Sequence, residues 1–423
     1  MTQTNSKPIN TFPGYEYVNG KNIFRGVDMG RGGYIISWPG IYTNVALLDV
    51  ESLHPNSAIN MNYFGEHTEK FKELLQTRIV IKHGRYDEAK KMFDGKLEPY
   101  LNDESDAKNL AYALKIAINS VYGLTSAKFD NPFRDKRNVN NIVALRGALF
   151  MKTLQDEVLK RGYKIVAIKT DSIKIVDATK EIIDFCMDFA HKYGYNFAHE
   201  ATYKKICQIN DADYIAMYES PEKCDEMYGY IPDDNVGHGG KWTATGAQFQ
   251  QPYVFKTLFS HEPIKFEDLC ETKTVTSALY LDMNESLPDV SEYEKELDAR
   301  AKGKHVAGLE DISDEDLKAK IAEGHSYCFI GKAGSFCPVK PGTGGGLLVR
   351  EKNGKYYSAT GAKGYRWLES EMVRTLHKES DIDHGHGDAL VNQAVNDISK
   401  YGDFEWFVSD DDEDIPWNTS ESH

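Results

Sequence analysis

Two aspartates in this 423-residue chain stand where a carboxylate could do chemistry. Asp49 closes the apolar run YTNVALLDV, and Asp171 sits at the tip of AIKTDSIKI, between two runs that alternate apolar and polar residues. Carboxylates projected from neighbouring strand ends can hold two divalent ions about 4 Å apart. Mg2+ suits such a pair, because it takes few protein oxygens and completes its shell with water and substrate phosphates. Asp is also frequent in turns for local reasons, so each residue taken alone reads first as a turn residue.

A second set is cationic. Arg78 and Lys82 are four apart; Lys115 and Asn119 are four apart, with Tyr122 three further on, so each set shares one helical face. If the two helices form an antiparallel pair, three cations could converge on the oxygens of a triphosphate. An ordinary solvated basic face has the same spacing. Spacing alone carries the reading as far as a phosphate-handling enzyme.

The elements that would position these residues follow from periodicity. YTNVALLDV reads as a buried strand, and 69–91 as a helix with Phe71, Leu74, Leu75 and Ile79 at helical spacing. SDAKNLAYALKIAINSVYGL reads as a second helix, capped near Ser105 and ending around Gly123. IVALRGALFMKTLQDEVLKRG is a third, followed by the hairpin bearing Asp171, the helix KEIIDFCMDFAHKYG and a polar segment ending in strand-like ADYIAMY. Beyond about residue 235, SEYEKELDARAKG and SDEDLKAKIAEG read as short helices with capping boxes, and 326–361 as Gly-rich and β-like. The sequence DHGHGD, with His384 and His386, reads as a solvated acidic loop, with metal binding as the alternative.

Composition narrows the classes. With 41% hydrophobic and 27% charged residues the chain reads as globular, and no apolar run approaches the ~18 residues of a membrane span. Six scattered cysteines without a CxxC pair read as thiols in a reducing, intracellular setting. The net charge of −15 opposes a nucleic-acid partner, but residues 70–174 hold 21 Lys and Arg against 13 Asp and Glu. A basic middle in an acidic protein suits an anionic ligand bound at one place, or a solvated helix face.

Three segments then match a known family in order. DVESLHP (49–55), KIAINSVYG (115–123) and KTDS (169–172) resemble the A, B and C motifs of family B DNA polymerases. LLQTRIVIK (74–82) is similar to that family's first fingers helix, and INDADYIA (209–216) stands in the place of its KxY-type palm motif. The resemblance runs from about Gly32 to Glu219, with KWTATGAQFQQPYVFK as a looser continuation.

It implies an α+β fold, a right-hand polymerase with an antiparallel palm sheet, two-helix fingers and a mixed thumb. The palm would comprise 1–68 and 128–235, the fingers 69–127, the thumb 236–408 with a β-like insertion, and 409–423 an acidic disordered tail. By the same resemblance, Asp49 and Asp171 are catalytic and, with the Val50 carbonyl, ligate two Mg2+, Mn2+ being an alternative. Ser52, Leu53, His54, Arg78, Lys82 and Lys115 would hold the incoming nucleotide, and Asn119 and Tyr122 would pack on the nascent base pair. Gly33, Lys169, Lys204, Lys205 and Tyr214 would contact DNA.

The departures are specific. His54 replaces the tyrosine that packs under deoxyribose; NDADY (210–214) replaces a lysine-rich run, keeping only Tyr214; Lys169 replaces the first acid of Asp-Thr-Asp-Ser. The A motif arrives within fifty residues, so proofreading is expected either from a separate subunit, as in split phage enzymes, or to be missing; Gly32-Gly33-Tyr34 resembles the exonuclease–palm linker, which favours the split, with a generic Gly-rich loop as the alternative. Only 66 residues separate Asp49 from Lys115 and 56 separate Lys115 from Asp171, which favours an ordinary nucleic-acid primer over protein priming. The expected partners are primer–template DNA, a dNTP, an exonuclease subunit or other replication proteins, and no membrane, in the cytoplasm, that of a bacterial host if a phage encodes the chain. The alternative is a polymerase-like DNA-binding scaffold that has lost catalysis. A reverse transcriptase fits poorly, since the turn lacks a paired-acid YxDD.

Overall fold

Four consecutive side chains, Val45 to Leu48, are buried in the strand that ends at Asp49 and Val50. A strand covered on both faces belongs in the middle of a sheet rather than at its edge. The computed structural model describes residues 12–125, 127–131, 141–239 and 241–409, with the side chains of residues 121, 122 and 247 outside that description. Two compact units result, the first running to Ala244 and the second from Thr245 to Pro416.

The first unit opens with a three-stranded antiparallel sheet, β1 (Tyr15–Val18), β2 (Lys21–Phe24) and β3 (Val27–Asp28). Its main sheet adds β4 (Ile35–Ser37), β5 (Gly40–Val50), β6 (Ile165–Lys169), β7 (Ser172–Val176), β8 (Phe197–Gln208), β9 (Tyr214–Tyr218) and β10 (Trp242–Thr245). The order is β10-β9-β8-β5-β7-β6-β4, and the pairings from β9 through β4 are antiparallel. The sequence reading left 197–208 as a polar segment. It is instead the long strand beside β5, with nine of its twelve residues buried.

The helices of this unit are α1 (Leu53–Asn60), α2 (Thr68–Lys82), α3 (Tyr86–Ala89), α4 (Glu104–Thr125), α5 (Ile142–Lys160), α6 (Lys180–Lys192) and α7 (Pro221–Tyr228). Leu145, Leu149 and Leu154 of α5 and Ile182 and Ile183 of α6 cover one sheet face, against Ala46, Leu48, Ile173 and Ile175. Val45 and Leu47 point to the other face, with Ala201, Tyr203 and Ala216. Side chains alternate along a strand, so Asp49 belongs to this second face.

Two helix limits differ from expectation. The helix begun near Glu69 stops at Lys82, because the chain turns at Gly84 in the left-handed region (φ 72°) before the separate α3. The cap of α4 is Asp103, not Ser105: its Oδ1 accepts the Asp106 amide at 2.8 Å. Leu75 shares a cluster with Ile118, while Val80 and Ile81 pack with Ala107 and Leu114. Rising numbers in α2 meet falling numbers in α4, so the pair is antiparallel.

The second unit holds β11 (Glu271–Asp282), β12 (Tyr327–Val339), β13 (Leu347–Lys352), β14 (Lys355–Ser358) and β15 (Arg366–Glu369), all paired antiparallel in the order β14-β13-β11-β12-β15. Its core gathers Leu279, Leu281, Phe336, Leu348 and Trp367. Around it run α8 (Ala247–Gln250), α9 (Pro252–Phe255), α10 (Ser291–Arg300), α11 (Asp314–Glu323), α12 (Ser370–Thr375), α13 (His384–Ser399) and α14 (Phe404–Val408). Of the two expected capping boxes, Ser313 caps α11 by accepting the Asp316 amide at 3.0 Å. Ser291 is not a cap: it is the first residue of α10, and its own amide is held by Asp289. His386 is no part of a solvated loop. It is buried in α13 with Nε2 2.5 Å from Glu271 Oε1, and only His384 is exposed. The expected tail from Asp410 onward lies outside the described residues. Among the described residues no helix is long and apolar enough to cross a membrane.

Candidate active site

Asp49 and Asp171 are brought together by the backbone. Ser172 is the register partner of Asp49, and the Val50 amide donates to the Asp171 carbonyl at 2.8 Å. The last residues of β5 are therefore fastened to the tip of the β6–β7 hairpin.

The tip is held in a strained form. The Asp171 amide donates to the Lys169 carbonyl at 2.7 Å, and Thr170 between them has φ 59°. That is a γ-turn with positive φ at its centre, a rare and costly conformation, more so for a β-branched residue. Two contacts maintain it. The Thr170 amide donates to the Tyr34 carbonyl at 2.9 Å, and Gly33 lies so close that a Cβ there would stand 2.6 Å from Thr170 Oγ1 and Cγ2. Gly33, expected at DNA, thus packs against the turn that presents Asp171. On the other side of the pair, Ser52 also has positive φ (56°) where β5 passes into α1. Ser52 and Thr170 are two of the thirteen non-glycine residues with positive φ among the described residues, and each lies within three residues of one of the two acids.

α1 is seated by contacts that periodicity does not reveal. A Cβ on Gly147 of α5 would stand 2.7 Å from Leu53 Cδ2, so the helices touch closely at this glycine. Buried Arg146 donates to the Tyr195 hydroxyl at 2.5 Å and the Tyr193 carbonyl at 3.0 Å, and Tyr195 shares a 2.7 Å hydrogen bond with Ser57 of α1. The segment carrying Ser52, Leu53 and His54 is thereby fixed to the sheet.

The electrostatics are those of crowded, half-dry acids. Burial, and then the Asp171 and Glu200 carboxylates, push the Asp49 carboxyl up to about 8, while Lys82 pulls the other way. Asp171 is raised mainly by burial, and Glu200 by burial and then by Asp234. The sequence reading missed Glu200, on β8, and Asp234, which the buried Asn235 sets beside it by accepting the Thr202 amide at 2.7 Å. Burial lowers His54, against the pull of Asp171. Burial likewise lowers Arg78, with Glu51 opposing it.

Of the cations expected around a triphosphate, Lys82 acts on Asp49 and Glu200, and Arg78 on Glu51. Lys115 and Asn119 lie on the exposed side of α4, and the packing puts Lys115 near the level of Arg78. The side chain of Tyr122 lies outside the described residues. The Lys169 Nζ lies 3.5 Å from the Ala212 carbonyl in the turn between β8 and β9. Tyr214 lies under the Lys174 ammonium, 3.8 Å from ring centroid to Nζ. Lys204 is half-buried, whereas Lys205 is 2% exposed.

Among the described residues no three His, Cys, Asp and Glu side chains are grouped to hold a metal ion, so the structure offers no protein-only cage. Two carboxylates that repel one another, with few protein donors around them, fit a hard cation that shares its shell with water and phosphate oxygens.

No protein-family model matches the chain, and no curated protein matches it by sequence. Among solved structures it is similar to the family B DNA polymerase from the hyperthermophilic archaeon Pyrobaculum calidifontis, at 14% identity and a TM-score of 0.39. The match covers 87% of this chain and 46% of that polymerase, so the chain spans less than half its length. A similarity of this extent decides neither fold nor chemistry.

Proposed function

We propose that the chain is a template-directed DNA polymerase that adds dNTPs to a primer 3′-hydroxyl. The observation that carries the reading is the bond from the Val50 amide to the Asp171 carbonyl, which sets two crowded carboxylates from distant segments side by side. The α2–α4 pair bears Arg78, Lys82 and Lys115, as a triphosphate would require. On this reading the main sheet with α5 and α6 is the palm, α2 and α4 the fingers, and the second unit the thumb.

Asp49, Asp171 and the Val50 carbonyl would hold two Mg2+, which when bound activate the primer hydroxyl and steady the departing pyrophosphate. The chain's own residues do the rest. Arg78, Lys82 and Lys115 neutralise the triphosphate and hold it for in-line attack, so that rate comes from positioning and fixed charge. The amides near Ser52 and Leu53 meet the phosphates, and His54 fills space beneath the sugar. Lys204 and Tyr214 track the primer strand. Glu200 and Asp234 keep the site acidic and draw cations into it.

The expected partners are primer–template DNA, a dNTP and other replication proteins, including a separate exonuclease, in a split enzyme of phage type. The turn of Lys169 toward Ala212 favours a second reading, a DNA-binding scaffold without catalysis. Primer extension on templates differing at one base separates the two. The polymerase reading expects addition of the complementary nucleotide alone; binding of primer–template with no extension in Mg2+ or Mn2+ establishes the scaffold.

A further inference from the structure

The second unit contains a pair of thiols that neither the polymerase reading nor the expectation of scattered cysteines accounts for. Cys270 immediately precedes β11, and Cys337 lies in β12. The register that pairs Glu271 with Phe336 sets the two cysteines opposite one another, with Sγ atoms 2.7 Å apart. A disulfide needs about 2.05 Å between sulfurs, so a small side-chain rotation brings them to bonding distance.

The two thiols are not equivalent. Cys337 is fully buried, whereas Cys270 is partly exposed and lines a cavity of about 950 Å3. Lys273, Arg350 and Arg374 line the same cavity, where Lys273 is paired with Glu271 and Arg374 with Glu267. The hydrogen bond from Cys337 and the Arg374 guanidinium hold the Cys270 thiol below its ordinary range, while Cys337 is pushed up by the same bond and by burial. Cys270 is thus the sulfur that ionises, and the thiolate is the attacking form.

We propose that Cys270 and Cys337 form a thiol–disulfide exchange site for a small disulfide that enters this cavity. The Cys270 thiolate attacks one sulfur of that disulfide. Its S–S bond breaks, and one small thiol leaves with the proton that Cys270 had lost. The Cys337 thiol then gives up its proton and attacks the Cys270 sulfur, and the second small thiol departs. Two protein thiols are oxidised to one disulfide, and one small disulfide is reduced to two thiols. The product staples the start of β11 to β12 across a separation of 67 residues.

The test uses the full chain, oxidised glutathione as probe, alkylation of remaining thiols and peptide mass mapping. The expected product is a linked Cys270–Cys337 peptide reversed by dithiothreitol, formed about tenfold faster than modification of the exposed Cys328. Cys337→Ala should stop at one glutathione on Cys270, and Cys270→Ala should leave Cys337 unmodified. Should either variant fail to fold by circular dichroism, the wild-type linkage and rate comparison decide alone. Glutathione on Cys328 without a Cys270–Cys337 link, or equal rates at Cys270 and Cys328, overturns the proposal.

Discussion

Replacing Gly33 with alanine tests how the turn that carries Asp171 is held. The added Cβ would stand 2.6 Å from Thr170 Oγ1 and Cγ2, and 2.9 Å from Thr170 Cβ. Ordinary contact begins near 3.4 Å, so the two segments must separate by about 0.8 Å. Threonine is too short to swing clear, because its own Cβ is among the atoms struck. The displacement therefore falls on a γ-turn whose third residue is Asp171. Misplacing a reacting group by about 1 Å costs on the order of 100-fold in rate. Overpacking of this kind costs roughly 1–3 kcal/mol of stability. Single-turnover primer extension should accordingly fall about 100-fold in Gly33→Ala, with the dNTP concentration for half-maximal rate little changed. Gly32→Ala, where a Cβ meets nothing within 4 Å, is the control and should extend as wild type. The double variant Gly33→Ala, Thr170→Ser removes Cγ2 and should recover part of the loss. Wild-type extension by Gly33→Ala would refute the reasoning.

Three further outcomes are expected. Asp49 is raised in the folded protein, so its contribution to stability is complete below pH ~4 and lost as pH rises toward about 8. Melts in EDTA should therefore show Tm falling between pH 5 and 8.5, with Mg2+ or Asp49→Asn flattening the slope. Arg146→Ala leaves the Tyr193 carbonyl without its donor and opens space beneath α1, and urea unfolding should show a loss of about 3 kcal/mol. Lys82→Ala removes a cation that acts on Asp49 and Glu200; it should raise the dNTP half-saturation about tenfold while moving Tm by less than 2 °C.

Much of the site could be read from the sequence because its elements are regular. The apolar run ending at Asp49, the alternation around Asp171 and the i, i+4 pairs on α2 and α4 are local patterns, and local patterns survive without tertiary knowledge. What escaped was carried by contacts between distant segments. FAHEATYKKICQ reads as polar, yet it is the strand beside β5, because its neighbours cover Lys205 and His199. Glu200 became visible only when that strand was placed next to Asp49. The contact of Gly33 with Thr170, the seat of α1 on Gly147 and the meeting of Cys270 with Cys337 leave no periodic trace at all. His386 read as part of an acidic loop because its partner Glu271 lies 115 residues away.

On the proposed function, Asp49 and Asp171 together form a metal-dependent nucleotidyl-transfer centre. Electron paramagnetic resonance of Mn2+ with primer–template and a non-hydrolysable dNTP tests it, read beside single-nucleotide extension by the same proteins supplied with an ordinary dNTP. Wild type should bind Mn2+ and extend; Asp49→Asn and Asp171→Asn should each bind DNA, lose most bound Mn2+ and extend at least about 1,000-fold more slowly. Mn2+ binding and extension that persist in both variants would contradict the account.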